Sequence, residues 1–272
     1  MRTHHPLVFI RGGGDLATGV AARLHRCGFD VLVVEIEKPL AVRRLVSLAE
    51  AVYAGEVEIE ELHGRRIESA SFVGSTLEEG VIPVLVDPTA ESRHQLEPVV
   101  MVDGRMRKMA PEIGMEAAQL VIGLGPGFTA GHDCHAVVET NRGHYMGRVY
   151  WEGNAEPDTA IPERVANYDL DRVLRSPTAG LFEGKKMLGS IVSEGEVIAV
   201  VNGVPLQAPF TGALRGLLHS GLEVEAGTKV GDLDPRGETS YCYQISDKSL
   251  AVGGGVLEAI LSRHEIRTLL GN

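Results

Sequence analysis

The sequence LVFIRGGGDLATGVAARL, at positions 7–24, decides the fold that we expect for the first part of the chain. A short apolar run enters three glycines, and leucine and valine then recur every four residues, as on a helix that faces a sheet. Asp15 can cap that helix and Gly28 can close it. A second β-branched run at 31–34 ends at Glu35. This order of strand, glycine turn, helix and strand is typical of a nucleotide-binding βαβ unit.

The glycine turn matches the pattern G-x-G-x-x-A, in which small residues let a pyrophosphate approach the backbone at a helix N-terminus. Glu35 follows about twenty residues later, where an acidic side chain can accept hydrogen bonds from a ribose. Asp15 would repel a phosphate unless a cation such as Arg11 intervenes. The alternative is a tight turn that binds nothing. The predicted cofactor-binding residues are Gly12, Gly13, Gly14, Asp15, Ala17, Thr18, Glu35, Gly125 and Gly127.

Two further apolar runs, at 82–86 and 119–124, predict buried parallel strands, because turn chemistry follows each of them. The glycines Gly125 and Gly127 come directly after the second run. Ligands of open α/β sheets bind beyond the carboxyl ends of the strands. This second glycine turn is therefore either another wall of the same cleft or a plain connection.

The stretch from 176 to 232 matches itself when shifted by 32 positions, so that Gly180 meets Gly212 and Gly195 meets Gly227. Two β-rich halves joined by a type I′ hairpin at Asn202-Gly203 are predicted. The repeat resembles biotinyl and lipoyl carrier domains, which present a modified lysine at the hairpin tip. No lysine stands at this tip, so we predict a structural module of that shape.

The fold class expected from these patterns is α/β, with a Rossmann-like parallel sheet domain and a smaller β-rich barrel-sandwich hybrid (biotinyl/lipoyl-like) domain. The boundaries are 1–168 for the nucleotide-binding domain and 169–236 for the barrel-sandwich domain without the carrier lysine. A C-terminal segment, 237–272, carries a helix that is expected to pack back on the first domain.

Composition narrows the classes of partner. The chain has 37 acidic and 26 basic residues and a net charge of −11, which argues against nucleic acid. No apolar run reaches the roughly 20 residues of a membrane helix, so no membrane partner is expected. Three widely spaced cysteines favour the cytoplasm. Asp133, His135 and His144 match no metal-ligand spacing, and no metal is predicted.

Four residues are candidates for catalysis, although no reaction follows from them. Arg142 and His144 offer a cation and a titratable imidazole near a glycine turn. Asp247 and Lys248 could serve acid–base or phosphate-binding roles before a glycine-rich helix start. The alternative for each pair is a solvated surface turn. Cys134 and Cys242 are expected to be inert core thiols.

Taken together, the blocks at 11–19, 35–39, 123–131, 139–144, 234–236 and 246–248 resemble the YqeB family, in the order in which that family has them. These are accessory proteins of the selenium-dependent molybdenum hydroxylase system. The resemblance also suggests kinship with the nucleotide-binding half of XdhC-type hydroxylase chaperones. It implies a cytoplasmic protein that assists the maturation of a molybdenum hydroxylase and acts on the cofactor or its selenium or sulfur ligand.

The leading hypothesis is thus a maturation factor that binds a nucleotide, or the nucleotide-bearing molybdenum cofactor, at the glycine turn. NAD(P), another nucleotide and molybdopterin cytosine dinucleotide are the candidate ligands. The candidate partners are the hydroxylase apoprotein, other maturation factors and a second copy of the chain. An NAD-dependent oxidoreductase and a non-catalytic scaffold or chaperone that docks to the hydroxylase are the alternatives, so the sequence leaves open whether the protein is an enzyme.

Overall fold

A computed structural model describes residues 5–107, 109–157 and 172–271 of the chain. The chain divides into two compact units. The first unit comprises Met1–Pro39, Leu48–Asp158 and Ile245–Asn272, and the second comprises Leu40–Ser47 and Thr159–Gln244. The second unit thus includes a short segment from the first half of the chain. The domain boundary expected at 168/169 lies outside the described residues.

The first unit is built on a nine-stranded sheet with the order β3-β4-β5-β2-β1-β6-β7-β8-β9. Its strands are β1 Leu7–Arg11, β2 Asp30–Glu35, β3 Glu56–Ile59, β4 Leu62–Ile67, β5 Ile82–Val86, β6 Val100–Asp103, β7 Leu120–Leu124, β8 Ala136–Val138 and β9 Val149–Tyr150. The apolar runs predicted at 7–10, 31–34, 82–86 and 119–124 all fall on strands of this sheet. β1 and β2 lie at its centre, where burial on both faces explains their apolar sequences.

The expected fold class, a Rossmann-like parallel sheet domain plus a barrel-sandwich hybrid domain, is wrong. The large sheet is mixed, because β3 is antiparallel to β4 at one edge and β9 is antiparallel to β8 at the other. A short turn joins β3 to β4, and such a turn can connect only antiparallel strands. β3 has a weak strand pattern in the sequence, since half of its residues are glutamates on an exposed edge.

The second unit forms two separate four-stranded antiparallel sheets, with the orders β10-β17-β15-β12 and β14-β13-β11-β16. The strands are β10 Val173–Arg175, β11 Gly180–Gly184, β12 Ile191–Val192, β13 Val197–Val201, β14 Val204–Gln207, β15 Gly212–Leu217, β16 Leu222–Val224 and β17 Lys229–Asp234. This arrangement replaces the expected biotinyl/lipoyl-like module.

The repeat and its hairpin are visible in these sheets. β11 pairs with β16 and β12 pairs with β15, so each half of the repeat pairs with strands of the other half. The turn between β13 and β14 has Asn202 at φ +47° and Gly203 at φ +82°. The predicted type I′ hairpin is confirmed, because both central residues have positive φ.

Helices of the first unit are α1 Asp15–Arg26, α2 Ala51–Ala54, α3 Val73–Glu78, α4 Arg93–Leu96, α5 Asp247–Leu261 and α6 His264–Arg267. α1 and α5 pack backbone against backbone. A Cβ on Gly19 would clash with the carbonyl of Ser249, and a Cβ on Gly253 would clash with the carbonyl of Gly19. Glycine at these positions therefore sets the close approach of the two helices.

The start of α5 differs from the expectation. Asp247 and Lys248 were expected to come before a glycine-rich helix start, but the helix begins at Asp247 and contains the glycines at 253–255. Ser246 caps it, because its hydroxyl accepts a hydrogen bond from the Ser249 amide at 3.1 Å. Within the described ranges, no helix combines the length and the apolar character that a bilayer crossing requires.

Candidate functional site

The glycine turn joins β1 to α1, at the carboxyl edge of the parallel strands. Gly12 has φ +89°, which favours glycine, and its amide donates to the Val34 carbonyl at 2.8 Å. Gly13 accepts a hydrogen bond from the Ala49 amide at 2.9 Å. A Cβ on Gly13 would lie only 2.7 Å from the Ala49 nitrogen. Glycine is thus required at both positions by the backbone of the protein itself.

Gly14 is different, since nothing in the protein requires glycine there. It is the N-cap of α1, with φ −65° and ψ 176°, a conformation that any residue adopts. A Cβ built on Gly14 would meet no atom of the described residues within 4 Å. Asp15 lies in the first turn of α1. The space in front of Gly14 is therefore open at the N-terminus of a twelve-residue helix.

Glu35, at the end of β2, is brought to the glycine turn as predicted from its spacing. Its Oε2 accepts a hydrogen bond from the Gly13 amide at 2.8 Å, and its Oε1 accepts one from the Ile36 amide at 2.8 Å. A carboxylate has about four lone-pair positions. The two backbone amides therefore orient Glu35 and leave it capacity to accept hydrogen bonds from a ligand.

Ala17 and Thr18 lie behind the turn and not on its open side. Ala17 is buried, and its Cβ would be 3.0 Å from a Cβ added to Gly104. Thr18 is also buried; its hydroxyl donates to the Gly13 carbonyl at 3.3 Å and accepts from the Leu48 amide at 2.9 Å. Both residues support the turn from the core.

The loop after β6 is a part of the site that sequence reasoning missed. β6 lies next to β1, and its last residue, Asp103, is paired in register with Arg11. Arg105 lies over the glycine turn, since its Cγ is 3.1 Å from the position of a Cβ on Gly12. The apolar run 99–102 followed by Asp103-Gly104 carries a strand-and-turn signal that could have revealed this loop.

Arg11 does not shield Asp15 in the way that the sequence suggested. Its side chain is buried and forms an ion pair with Asp103 at 3.3 Å. Burial lowers the pKa of Arg11, and the nearby negative charge of Asp103 opposes that effect. The arginine that lies against Gly12 is Arg105, through its backbone and Cγ, while its guanidinium pairs with Asp103 and Glu112.

The second glycine turn serves packing. Gly125 and Gly127 have φ +71° and +105°, and a Cβ on Gly125 would clash with the hydroxyl of Thr140. In the sheet, β6 separates β7 from β1. The loop of β6 therefore lies between the two glycine turns.

Asp247 and Lys248, two of the four candidate catalytic residues, are the first two residues of α5. Arg142 forms a bidentate ion pair with Asp247, in which Nη2 lies 2.7 Å from Oδ1. The Lys248 amide donates to Asp247 at 2.8 Å. His144 meets the edge of the Tyr145 ring at a centroid distance of 5.2 Å. The structure thus joins Arg142 to Asp247, and the pair is a surface ion pair because the Asp247 side chain is 71% exposed.

Asp133, His135 and His144 do not assemble into a metal site. Asp133 accepts from the Thr129 amide, and Nδ1 of His135 accepts from the Val121 amide at 2.9 Å. Within the described part of the chain, no group of three or more His, Cys, Asp or Glu residues could hold a metal ion. Burial raises the pKa of Cys134 to about 12, and Asp133 adds to that effect. This thiol is therefore a poor nucleophile.

Comparison with known proteins gives one close relative. The chain is 46% identical over 257 residues to YqeB of Escherichia coli (strain K12). The match covers 94% of this chain and 48% of that protein, so the chain spans about half the length of the curated relative that it matches. This similarity confirms the resemblance to the YqeB family. No family model matches the chain.

Solved structures show only distant likeness. An aspartoacylase family protein from Mesorhizobium loti is 11% identical, with 84% of each chain covered and a TM-score of 0.26. A succinylglutamate desuccinylase from Silicibacter is 13% identical, with 85% of each chain covered and a TM-score of 0.24. Scores this low show neither a shared fold nor a shared activity.

Proposed function

We propose that this relative of YqeB is a cytoplasmic accessory protein for the maturation of a selenium-dependent molybdenum hydroxylase. In this role it binds a nucleotide, or the nucleotide-bearing molybdenum cofactor, at the turn Gly12–Gly14. The hydroxylase apoprotein or another maturation factor is the proposed partner. The family resemblance supports the biological role, and the geometry of the turn supports the binding step.

The observation that carries the binding step is the open space at Gly14. Neither its backbone conformation nor its packing calls for glycine. A glycine at an N-cap provides no side chain for capping and costs only about a few tenths of a kcal/mol relative to Ser, Thr, Asn or Asp, so even a modest functional reason accounts for it. Space for a ligand phosphate against the backbone is such a reason, since helix N-termini favour anions.

Glu35 and Arg105 supply the remaining contacts that a nucleotide needs. The Glu35 carboxylate, held by the Gly13 and Ile36 amides, can accept hydrogen bonds from a ribose diol. Arg105, over Gly12, supplies positive charge that offsets the repulsion between a phosphate and Asp15. In the nucleotide-bearing molybdenum cofactor, the same residues would hold the ribose and the pyrophosphate, while the molybdenum end would carry the redox chemistry.

Titration calorimetry with NAD, NADP, ATP, CTP and molybdopterin cytosine dinucleotide tests the binding step. We expect at least one of them to bind. We expect Gly14→Ala to lower the affinity for that ligand by about tenfold or more, because the added methyl group overlaps the phosphate. Gly14→Val should abolish binding. Because the space at Gly14 is open, Gly14→Ala should change the free energy of unfolding by less than about 1 kcal/mol.

The matched control is Gly254→Ala, another glycine at which a Cβ meets no described atom within 4 Å. It lies inside α5, where alanine should stabilise the fold by about 1 kcal/mol and leave binding unchanged. Binding by none of the five ligands to the folded protein would contradict the binding step. Full hydroxylase maturation by a folded Gly14→Val variant in cells that lack the native protein would favour a non-catalytic scaffold instead.

A second candidate, an NAD-dependent oxidoreductase, is favoured by the placement of Glu35. A carboxylate at the ribose suits the free hydroxyls of NAD and repels the 2′-phosphate of NADP. This candidate predicts selective NAD binding and NADH consumption with a partner substrate. Binding of cytosine nucleotides without binding of NAD would exclude it.

A further inference from the structure

Three arginines converge on one carboxylate beside the glycine turn. Glu112 forms ion pairs with Arg105 at 2.7 Å and with Arg11 at 3.5 Å. Arg107 forms a third ion pair with Glu112. We call Arg11, Arg105 and Arg107 the arginine cradle. A single carboxylate thus faces three guanidinium groups.

The arginine cradle is continuous with the glycine turn. Arg11 is the last residue of β1, directly before Gly12, and Arg105 lies against Gly12. A group that occupies the cradle is therefore close to a ligand that lies along the turn.

The two carboxylates in this cluster differ in how firmly the fold holds them. Asp103 is buried, accepts from the Arg105 amide at 3.2 Å, and pairs with the side chains of Arg11 and Arg105. The Glu112 side chain is 50% exposed. Exposed ion pairs contribute little to stability. Glu112 can therefore leave the arginines at low cost, whereas Asp103 cannot.

We infer that the arginine cradle is a binding subsite for phosphate groups and that Glu112 occupies it as an internal surrogate, which the phosphate displaces. Guanidinium groups match phosphate oxygens with paired hydrogen bonds. When Glu112 leaves, three positive charges face the single negative charge of Asp103, and a diphosphate restores the balance. The inference rests on the proposed function for the identity of the whole ligand, but the phosphate contact can be tested separately.

The test is calorimetry on the full chain with inorganic pyrophosphate, cytidine diphosphate and cytidine as probes. Glu112→Gln removes the competing charge and should tighten pyrophosphate binding by roughly fivefold. Arg105→Ala should weaken it by about tenfold or more, since charged hydrogen bonds are lost. Arg107→Ala, at a more exposed arginine, should also weaken it and covers the case in which Arg105→Ala fails to fold. Cytidine should show none of these responses.

Matched controls come from the exposed ion pair Arg65–Glu79, which also joins a guanidinium to a carboxylate. Arg65 lies on β4, and Glu79 directly follows α3. Glu79→Gln and Arg65→Ala should leave pyrophosphate binding unchanged. The inference is overturned if neither the wild-type protein nor Glu112→Gln binds pyrophosphate. It is also overturned if binding occurs but does not respond to Arg105→Ala or Arg107→Ala.

These outcomes separate the subsite from the proposed function. If pyrophosphate binds as expected but no nucleotide binds more tightly than pyrophosphate, the subsite stands and the nucleotide proposal fails. If a nucleotide binds and responds to Gly14→Ala but not to the cradle variants, the nucleotide proposal stands and the subsite fails.

Discussion

Each of the two units ends a strand with the same Asp-x-Arg arrangement. In the first unit, Arg105 donates three hydrogen bonds back to Asp103, from its amide at 3.2 Å, from Nε at 2.9 Å and from a terminal nitrogen at 2.6 Å. In the second, Arg236 bonds to Asp234 in the same way, at 3.1, 2.9 and 2.6 Å. A second arginine from the neighbouring strand, Arg11 or Arg215, completes each cluster.

The surroundings of the two clusters differ. Glu112 and Arg107 join the first cluster beside a glycine turn with open space. In the second cluster, the guanidinium of Arg236 lies 4.5 Å from the centre of the Tyr241 ring. The same local motif therefore stabilises a strand end in the second unit, whereas in the first it lies at the proposed ligand site. The neighbours decide which role it has.

The largest expected difference between the clusters is in the free energy of unfolding that is lost when the aspartate of each cluster is replaced. Asp234→Ala leaves the buried Arg215 without its carboxylate and should lower the free energy of unfolding by about 3–5 kcal/mol. Asp103→Ala should lower the free energy of unfolding by only about 1–2 kcal/mol, because Glu112 remains within reach of Arg11 and Arg105. Chemical denaturation of both variants measures the difference.

The control is Asp103→Ala combined with Glu112→Gln, which removes both carboxylates from the first cluster. Its cost should approach that of Asp234→Ala. Equal costs for the two single variants would show that Glu112 gives no compensation and that the clusters are energetically alike.

A smaller effect is expected from pH. Burial alone raises the pKa of Asp234, but hydrogen bonds from Arg236 and the charge of Arg215 outweigh it and bring the pKa to about 2. Because the folded pKa lies below the unfolded value of about 4, the stabilisation is present above pH 4. It is lost as the pH falls towards 2 and amounts to about 2 kcal/mol.

Unfolding free energies between pH 5 and 2, for the wild-type protein and Asp234→Asn, measure this contribution. The variant should lose that part of the acid dependence and converge with the wild type at the lowest pH. A parallel pH dependence in the two proteins would show that Asp234 is not responsible.

The smallest expected effect is that of Glu112→Gln on stability. Its half-exposed carboxylate should contribute no more than about 1 kcal/mol to the free energy of unfolding, although three arginines surround it. Thermal or chemical unfolding checks this value. A loss above about 2 kcal/mol would show that Glu112 has a structural role, and it would contradict the proposal that a phosphate exchanges with Glu112.

Much of the secondary structure could be predicted from the sequence, because it depends on local patterns. The central strands have continuous apolar runs, and Asn202-Gly203 specifies its hairpin through positive φ. The edge strands β3 and β9 were missed, since partly exposed edges lack such runs. Those edges make the sheet mixed, which is why the expected fold class was wrong.

The candidate site was predicted only in part. Spacing along one βαβ segment was enough to associate Glu35 with the glycine turn. The loop of β6 is about ninety positions away from Arg11 along the chain, and no local pattern relates Asp103 or Arg105 to that residue. Strand order alone brings them together.

Local sequence patterns were sufficient to predict the glycine turn, the strand that precedes it, the helix that follows and the placement of Glu35, because neighbours along the chain create these features. Tertiary packing leaves Gly14 open and places Gly13 against Ala49. The same packing places Arg105, and not the buried Arg11, against the turn. The physical reason is that space and burial depend on segments distant in sequence, which a linear pattern does not specify.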